Sequence, residues 1–183
     1  SDFVFESSGT IKDYVGTDKN VVIPKTIGGV PVKSIWIGAF RDKQLTSITI
    51  PDSVTSILTN AFSDNPLETI EVSALNPNYC SEDNVLFSKD KTKIIASAQK
   101  TSYVIPDGVT DIGAGAFTNN LTEITIPNSV SNIGMFNDFG GDKENTTIIV
   151  GRGSYAESWA ISEGFTNIEY IEGEGAAENS SAI

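Results

Sequence analysis

Residues 45–62 read LTSITIPDSVTSILTNAF, and the same order of residue types returns along the chain. Residues 121–136 read LTEITIPNSVSNIGMF, residues 103–117 read YVIPDGVTDIGAGAF, and residues 21–40 read VVIPKTIGGVPVKSIWIGAF. The composite unit is Leu-x-x-Ile-x-Ile-Pro, then Val-x-x-Ile, then Ala-Phe. Leu45 and Leu67 are 22 residues apart, and Pro51 precedes Phe62 by 11, the same distance as Pro106 to Phe117. In the first copy Pro24 lies 16 before Phe40, because five extra residues sit inside it. Self-similarity at a fixed period of this length is the mark of a stacked array rather than of one globular core.

Each part of the unit has a physical reading. The alternation in Ile48-Thr49-Ile50 makes a short strand with one face in and one out, and Pro51 ends it because proline has no N–H to give a ladder. Val54 and Ile57 supply a second inward pair. Ala61 permits close approach and Phe62 fills the space between turns. Stacking such coils about 4.8 Å apart pairs each strand with its copies above and below and aligns Phe40, Phe62 and Phe117 into one ladder. About seven coils fit the chain. The expected fold is therefore a mainly β parallel solenoid.

This pattern resembles the BspA-like class of leucine-rich repeat, found in bacterial surface and secreted proteins, and the likeness implies a right-handed stack. It extends to the pieces between repeats: Phe3-x-Phe5, Gly9-Thr10-Ile11 and Tyr14-x-Gly16-Thr17 ahead of Val21, and the island Asn78-Tyr79-x-Ser81-x-Asp83-Asn84-Val85-Leu86-Phe87 followed by a lysine-rich turn at 89–93. Within the island, 85–87 and 94–95 are expected to pair as a hairpin wedged into the stack. Residues 1–171 then form a single domain, with an N-terminal coil or cap at 1–22, the hairpin island at 74–100 and a C-terminal cap at 154–171. The cap follows from a capping box at Ser154 and Glu157, an apolar stripe of Tyr155, Ala156, Trp159 and Ala160, Gly164 as a helix stop, and a final strand at 165–171. Trp159 as the anchor of a binding helix is the other reading. Residues 172–183 are too poor in apolar groups to pack and read as a linker or disordered tail.

Composition narrows the chemistry. Among 183 residues there are 24 acids, 12 bases, no histidine and one cysteine, with a formal net charge of -12. A nucleic-acid binder needs a basic face, so nucleic acid is excluded, and no apolar run reaches the ~20 residues that span a bilayer. Without histidine there is no Ser-His-Asp relay and no imidazole metal site, and Cys80 alone makes no internal disulfide. The chain begins at Ser1 without a charged and apolar leader, as expected of a processed or trimmed chain. No cofactor is implied. An enzyme would have to use paired carboxylates, yet Asp52, Asp107 and Asp111 fall where turns want a short acceptor. Asp138-Phe139-Gly140 copies a kinase tripeptide without its partner motifs. Asp138, Asp142 and Glu144 around two glycines are candidate calcium ligands, though without EF-hand spacing; a solvated acidic loop is the alternative.

Binding remains. Outward positions of successive first strands make a stripe of Asn20 and Val22, Ser47 and Thr49, Thr69 and Glu71, Ser102 and Val104, Glu123 and Thr125. It is small, polar and partly acidic, without the aromatic and arginine anchors of tight interfaces; a basic partner would centre on Glu71 and Glu123. A second candidate departs from the repeat. Where Gly113 and Gly134 follow the second inward isoleucine, Trp36 and Leu58 stand instead, with Ile37 beside them. Trp36 and Leu58 are expected to touch and either form an exposed contact patch or lie under the five-residue insertion carrying Ile27, Val30 and Val32. The family resemblance implies a non-enzymatic adhesion or protein-interaction module, extracellular or at the cell surface, with a host matrix protein, cell-surface protein or glycan as partner. A structural spacer in a larger surface protein is the alternative, and a carboxylate-dependent glycan enzyme a distant third.

Overall fold

A computed structural model describes residues 1–117, 120–139 and 141–173. Parallel ladders run through it as the repeat requires. Strand Asn20–Val22 pairs with Ser47–Ile50, and that with Thr69–Val72, copy against copy, Val21 facing Ile48 and Ile48 facing Ile70. Further along, Ser102–Val104, Glu123–Ile126, Thr147–Val150 and Ile168–Tyr170 form a second such ladder. The second inward pair makes two-residue strands: Ser34–Ile35 with Ser56–Ile57, and Asp111–Ile112 with Asn132–Ile133. Ile48, Ile50, Val54, Ile124 and Ile126 have no exposed surface, so the side of each coil that alternation assigns to the interior is the interior. Burying one such side chain contributes about 1.5–3 kcal/mol. The fold is a mainly β solenoid of about seven turns with a single helix among the described residues. Asp111, expected in a turn, lies in a strand.

The stack is not continuous. Between the two ladders stands an antiparallel meander of three strands, Tyr79–Glu82, Val85–Ser88 and Lys93–Ser97, where the sequence suggested a two-strand hairpin. Its last strand also serves the repeat, since Lys93 and Ile94 pair in parallel with Asp111 and Ile112. The central strand is buried on both faces: Leu86 belongs to the core of the first coils, Val85 and Phe87 to the core of the later ones. The meander is thus a wall between two hydrophobic cores. For the same reason the expected single ladder of Phe40, Phe62 and Phe117 is two. Phe3, Tyr14, Phe40 and Phe62 succeed one another with ring centroids 5.5–5.6 Å apart. Beyond the wall Tyr103, Phe117, Phe139 and Trp159 do the same at 5.3–5.8 Å. Phe139, in the stretch that looked like a stray kinase tripeptide, is the ladder residue of its coil. It is fully buried, while Phe136, at the end of the repeat copy 121–136, is exposed.

Buried asparagines stitch coil to coil. The Asn65 carboxamide donates to the carbonyls of Phe40 (2.6 Å) and Phe62 (2.8 Å) and accepts from the N–H groups of Lys43 (2.9 Å) and Leu45 (3.0 Å). Asn137 donates to Gly113 and Gly134 and accepts from Phe117, and Asn76 donates to Pro51 and Val54 and accepts from Asn78 and Tyr79. Each satisfies backbone groups that a loop would otherwise bury unpaired.

The strand edges left open by the wall are closed by side-chain oxygens. Tyr79 Oη accepts from the Ile57 N–H (2.9 Å), Ser81 Oγ from Val72 (3.1 Å) and Asn84 Oδ1 from Ile70 (3.4 Å). At the C-terminal end Tyr155 Oη takes the Ile133 N–H in the same way (3.4 Å). Helix Tyr155–Glu163 is the expected cap: Ser154 Oγ accepts from the Glu157 N–H and Gly164 ends it in the left-handed region at φ 86°. Glu157 reaches Gly153 rather than the cap residue itself. Ala156 and Ala160 are buried, and Trp159 packs on Phe139 and Phe165, so it belongs to the core and not to a free binding helix. The final strand is Ile168–Tyr170, shorter than expected. At the other end, strands Phe3–Glu6 and Thr10–Tyr14 form an antiparallel hairpin over the first short strand. From residue 174 onward the expected tail lies outside the described residues.

Replacing Asn65 by leucine strands the buried Leu45 N–H, the half-buried Lys43 N–H and the Phe40 and Phe62 carbonyls at once, and is expected to cost about 3 kcal/mol or more in urea unfolding. Asn20→Ala, at an exposed strand position, is expected to stay within about 0.5 kcal/mol. A second expectation concerns pH. Burial, with the charges of Asp83 and Glu82, pushes the Tyr103 phenol up to about 12. A folded-state value above the ordinary 10 adds stability that is complete below pH 10 and lost as pH rises through about 12. Between pH 9 and 12 the wild type should therefore lose more urea stability than Tyr103→Phe, with phenolate absorbance reporting the titration.

Candidate functional site

The outward stripe exists, but as two panels. Asn20, Ser47 and Thr69 stand in register, as do Val22, Thr49 and Glu71. Ser102 and Glu123, and Val104 and Thr125, belong to the second ladder beyond the wall. Glu71 and Glu123 are thus in different sheets and do not converge on one acceptor surface. Some of the polar side chains on these panels bond to one another. Asn20 Oδ1 accepts from Thr46 Oγ1 (2.8 Å) and Ser47 Oγ (3.0 Å), and Asn167 donates to Thr147 Oγ1 (2.7 Å). Val22 and Val104 are exposed singly, which is ordinary for a surface.

A different row follows the short strands. The Trp36 N–H donates to the Ile11 carbonyl (2.9 Å) and the Leu58 N–H to the Ile35 carbonyl (3.0 Å), so Lys12, Trp36 and Leu58 occupy equivalent positions in successive coils. The five-residue insertion folds into its own small hairpin, Thr26–Ile27 against Val30–Pro31, with Val32 buried. It does not cover the row: Trp36 is 40% exposed and Ile37 55%. One face of the indole carries the Lys12 ammonium, 3.4 Å from the ring centroid, a cation–π contact that fixes the ring at the surface.

Beyond the wall the same row continues as Ile95, Gly113 and Gly134, each glycine N–H reaching the previous coil at 2.8 Å. A β-carbon on Gly113 would stand 2.9 Å from the Ile94 carbonyl oxygen, and one on Gly134 2.4 Å from the Ala114 nitrogen. Glycine is required there because backbone touches backbone. A cavity of about 200 Å3 lies between Leu58 and Ile95, with Gly113, Asn60 and Lys93 also in its lining. After Gly134 the chain carries one residue more than its sister coil, and Met135 and Phe136 are pushed out, 74% and 66% exposed, Phe136 at φ 62°. Sequence reasoning missed this pair. The signal was present, since Ile112 precedes Phe117 by five residues and Ile133 precedes Phe139 by six.

The acidic candidates do not assemble. Asp142 turns its carboxylate onto its own loop, accepting from the Asn145 N–H (3.0 Å) and Nδ2 (2.9 Å), and these bonds hold it below the ordinary carboxylate range. Asp138 and Glu144 are exposed. Among the described residues no group of three or more metal-ligating side chains stands close enough to hold an ion. Asp52 pairs with Lys25 at 2.9 Å. Asp111 is pushed down by hydrogen bonds from Thr110 and Asn132, as Asp90 is by Ser88 and Thr92 and Glu157 by Tyr170 and Gly153. Asp90, Asp111, Asp142 and Glu157, all pushed down, are the opposite of the raised acid that glycoside hydrolysis uses. No helix among the described residues is long and apolar enough to cross a membrane.

Comparison with known proteins matches residues 17–97 and 91–139 to the BspA type leucine rich repeat region, in six copies. Among solved structures, a leucine-rich repeat protein from Eubacterium ventriosum is 30% identical with a TM-score of 0.62, over 73% of this chain and 36% of that one. The pneumococcal vaccine antigen PcpA is 28% identical with a TM-score of 0.56, over 61% of this chain and 29% of its own. A leucine rich cell surface protein from Faecalibacterium prausnitzii shares the fold at 23% identity and a TM-score of 0.51, over 76% and 51%. The chain thus spans about a third of the length of the first two. No curated protein matches it.

The surface position of Trp36 makes a contrast with its neighbour four residues on. Trp36→Ala is expected to lower stability by less than about 1 kcal/mol, whereas Phe40→Ala, which empties a fully buried ladder position, is expected to cost about 3–5 kcal/mol in the same urea titration.

Proposed function

Starting from the fact that the chain belongs to the BspA-type leucine-rich repeat family, we propose that it is a non-enzymatic protein-interaction module of a secreted or surface-attached bacterial protein. The observation that carries this reading is the exposed pair Trp36 and Ile37 at the head of an apolar row. Solvation alone gives no reason to keep an indole at the surface, and aromatic side chains are the usual anchors of interfaces. The likeness to a vaccine antigen supports a position outside the cell. Adhesion to a matrix protein, another cell surface or a glycan is the form of interaction that the family suggests.

A specific observation favours the spacer as second reading. The broad sheet face is mostly small and polar, with side-chain hydrogen bonds from Thr46 and Ser47 to Asn20 and from Asn167 to Thr147, and the net charge of -12 suits a soluble rod. The two readings separate in a binding screen of the chain against immobilised matrix proteins, mucins and glycans. The interaction module is expected to bind at least one protein partner, with Trp36→Ala weakening it about tenfold or more and Thr49→Ala leaving it unchanged. Binding to none of them leaves the spacer.

A further inference from the structure

The two rows of strands do not start together. Thr10–Tyr14 pairs with Ser34–Ile35, which shares a coil with Asn20–Val22, and Phe3–Glu6 pairs with the far side of Thr10–Tyr14. The short-strand row therefore begins two strands earlier than the long-strand row, and Asn20–Val22 is the outermost strand of its sheet. Its backbone is paired on one side only. The Lys19 carbonyl and the Ile23 N–H turn to Ser47–Ile50, where Val21 faces Ile48, so by alternation the N–H and carbonyl groups of Asn20 and Val22 point outward. Elsewhere such edges are closed by the side-chain oxygens of Tyr79, Ser81, Asn84 and Tyr155. Here no strand and no side chain among the described residues closes it. Beside the edge lies a hollow of about 100 Å3, lined by the strand itself, by Phe3 and Tyr14, and by Asp2 and Asp18. It is far below the roughly 300–1,000 Å3 of a small-molecule pocket, and an open edge with a side-chain-sized hollow is what strand addition uses.

Register and charge define the occupant. A strand laid parallel on Asn20–Val22 sets one residue over Val21, its N–H donating to the Asn20 carbonyl and its carbonyl accepting from the Val22 N–H. That residue continues the buried column of Val21, Ile48 and Ile70 and is therefore aliphatic. At the rim, no base among the described residues stands within ion-pairing distance of Asp2 or Asp18. Lys19, next in sequence, gives its ammonium to the Lys43 carbonyl instead (2.8 Å). Tyr14 Oη donates to the Asp18 carbonyl (3.0 Å), and burial, then the charges of Asp18 and Asp2, push its phenol up. A basic residue of the occupant complements this rim. A second copy offering its own end strand, Ile168–Tyr170, brings Glu169 instead, like charge to like charge. We infer that the Asn20–Val22 edge is the docking site for a parallel strand of a partner protein, with an aliphatic residue over Val21 and a basic residue immediately before it. This site is separate from the Trp36 surface.

The test uses labelled Ser-Thr-Lys-Ile-Thr-Thr-Ser in fluorescence anisotropy against the full chain. N-methylation of its isoleucine removes the donor to Asn20 and is expected to weaken binding about tenfold or more, whereas N-methylation of the next threonine, whose N–H faces away, stays within about twofold. Exchange of its lysine for glutamate is expected to weaken binding about tenfold. In the protein, Val22→Pro deletes only the outward N–H, a change an edge strand tolerates, and is expected to cost about tenfold in affinity while the unfolding midpoint shows that the variant folds. Asp18→Asn is expected to cost about threefold, and Glu123→Gln, the same charge change beyond the wall, nothing. Two N-methyl peptides that bind alike, a glutamate peptide that binds as well, equal losses from Asp18→Asn and Glu123→Gln, or no binding at all overturns the inference. So does self-association of the free chain in sedimentation that Val22→Pro abolishes, since the occupant is then a second copy. Failure here is distinct from failure of the broader reading: a matrix partner that Val22→Pro still binds and Trp36→Ala does not leaves the interaction module standing without this edge.

Discussion

A parallel ladder built from identical coils satisfies every backbone group except those at its edges, and the molecule is organised around that shortage. Stacking costs little where each coil finds its copy: isoleucine lies over isoleucine, and N–H groups reach the carbonyls of the coil before. Where the copy is missing, a side chain stands in. Tyr79, Ser81 and Asn84 do so at the internal break, and Tyr155 at the C-terminal one. A tyrosine suits the task because its ring packs on the apolar layer while its hydroxyl stays at the rim. An uncovered edge would be a template for aggregation.

The same shortage explains why there are two cores rather than one. The meander turns a strand with both faces buried across the stack, so that Leu86 closes one hydrophobic compartment and Val85 with Phe87 opens the next. Aromatic ladders then run within compartments and stop at the wall. The candidate binding row crosses it, because its last contributor before the glycines is Ile95, on the meander strand that has already rejoined the repeat. A surface groove thus forms where packing changes partner, and the hollow is a by-product of joining two stacks.

Much of this was legible in the sequence, and the limits have physical causes. Periodicity reports which positions repeat, so the long strands, the inward valines and isoleucines, the alanine-phenylalanine closure and the helical cap followed from spacing alone. What spacing does not report is interruption. Phe62 and Phe117 carry the same mark in the pattern, yet a wall without that pattern separates them. Nothing in the repeat marks Asn65, Asn76 and Asn137, since a side chain's donors and acceptors become visible only when the carbonyls around it are placed. Phe139 stood in a tripeptide set aside as a stray motif, and its burial, which a pattern does not contain, makes it the ladder residue. At the candidate site, Trp36 and Leu58 were marked by departing from glycine, whereas Ile95 belonged to a segment with no copy to depart from.

The glycines at 113 and 134 divide the surface by what heredity can do with it. Any side chain there would strike the backbone of the adjacent coil, so these two places are closed to variation as long as the stack survives. At the equivalent places in the earlier coils the chain already carries tryptophan and leucine. The row is therefore a keyboard with fixed and free keys: side chains can be exchanged in its N-terminal half and at the rim, while the glycine floor of its C-terminal half admits none without moving the backbone.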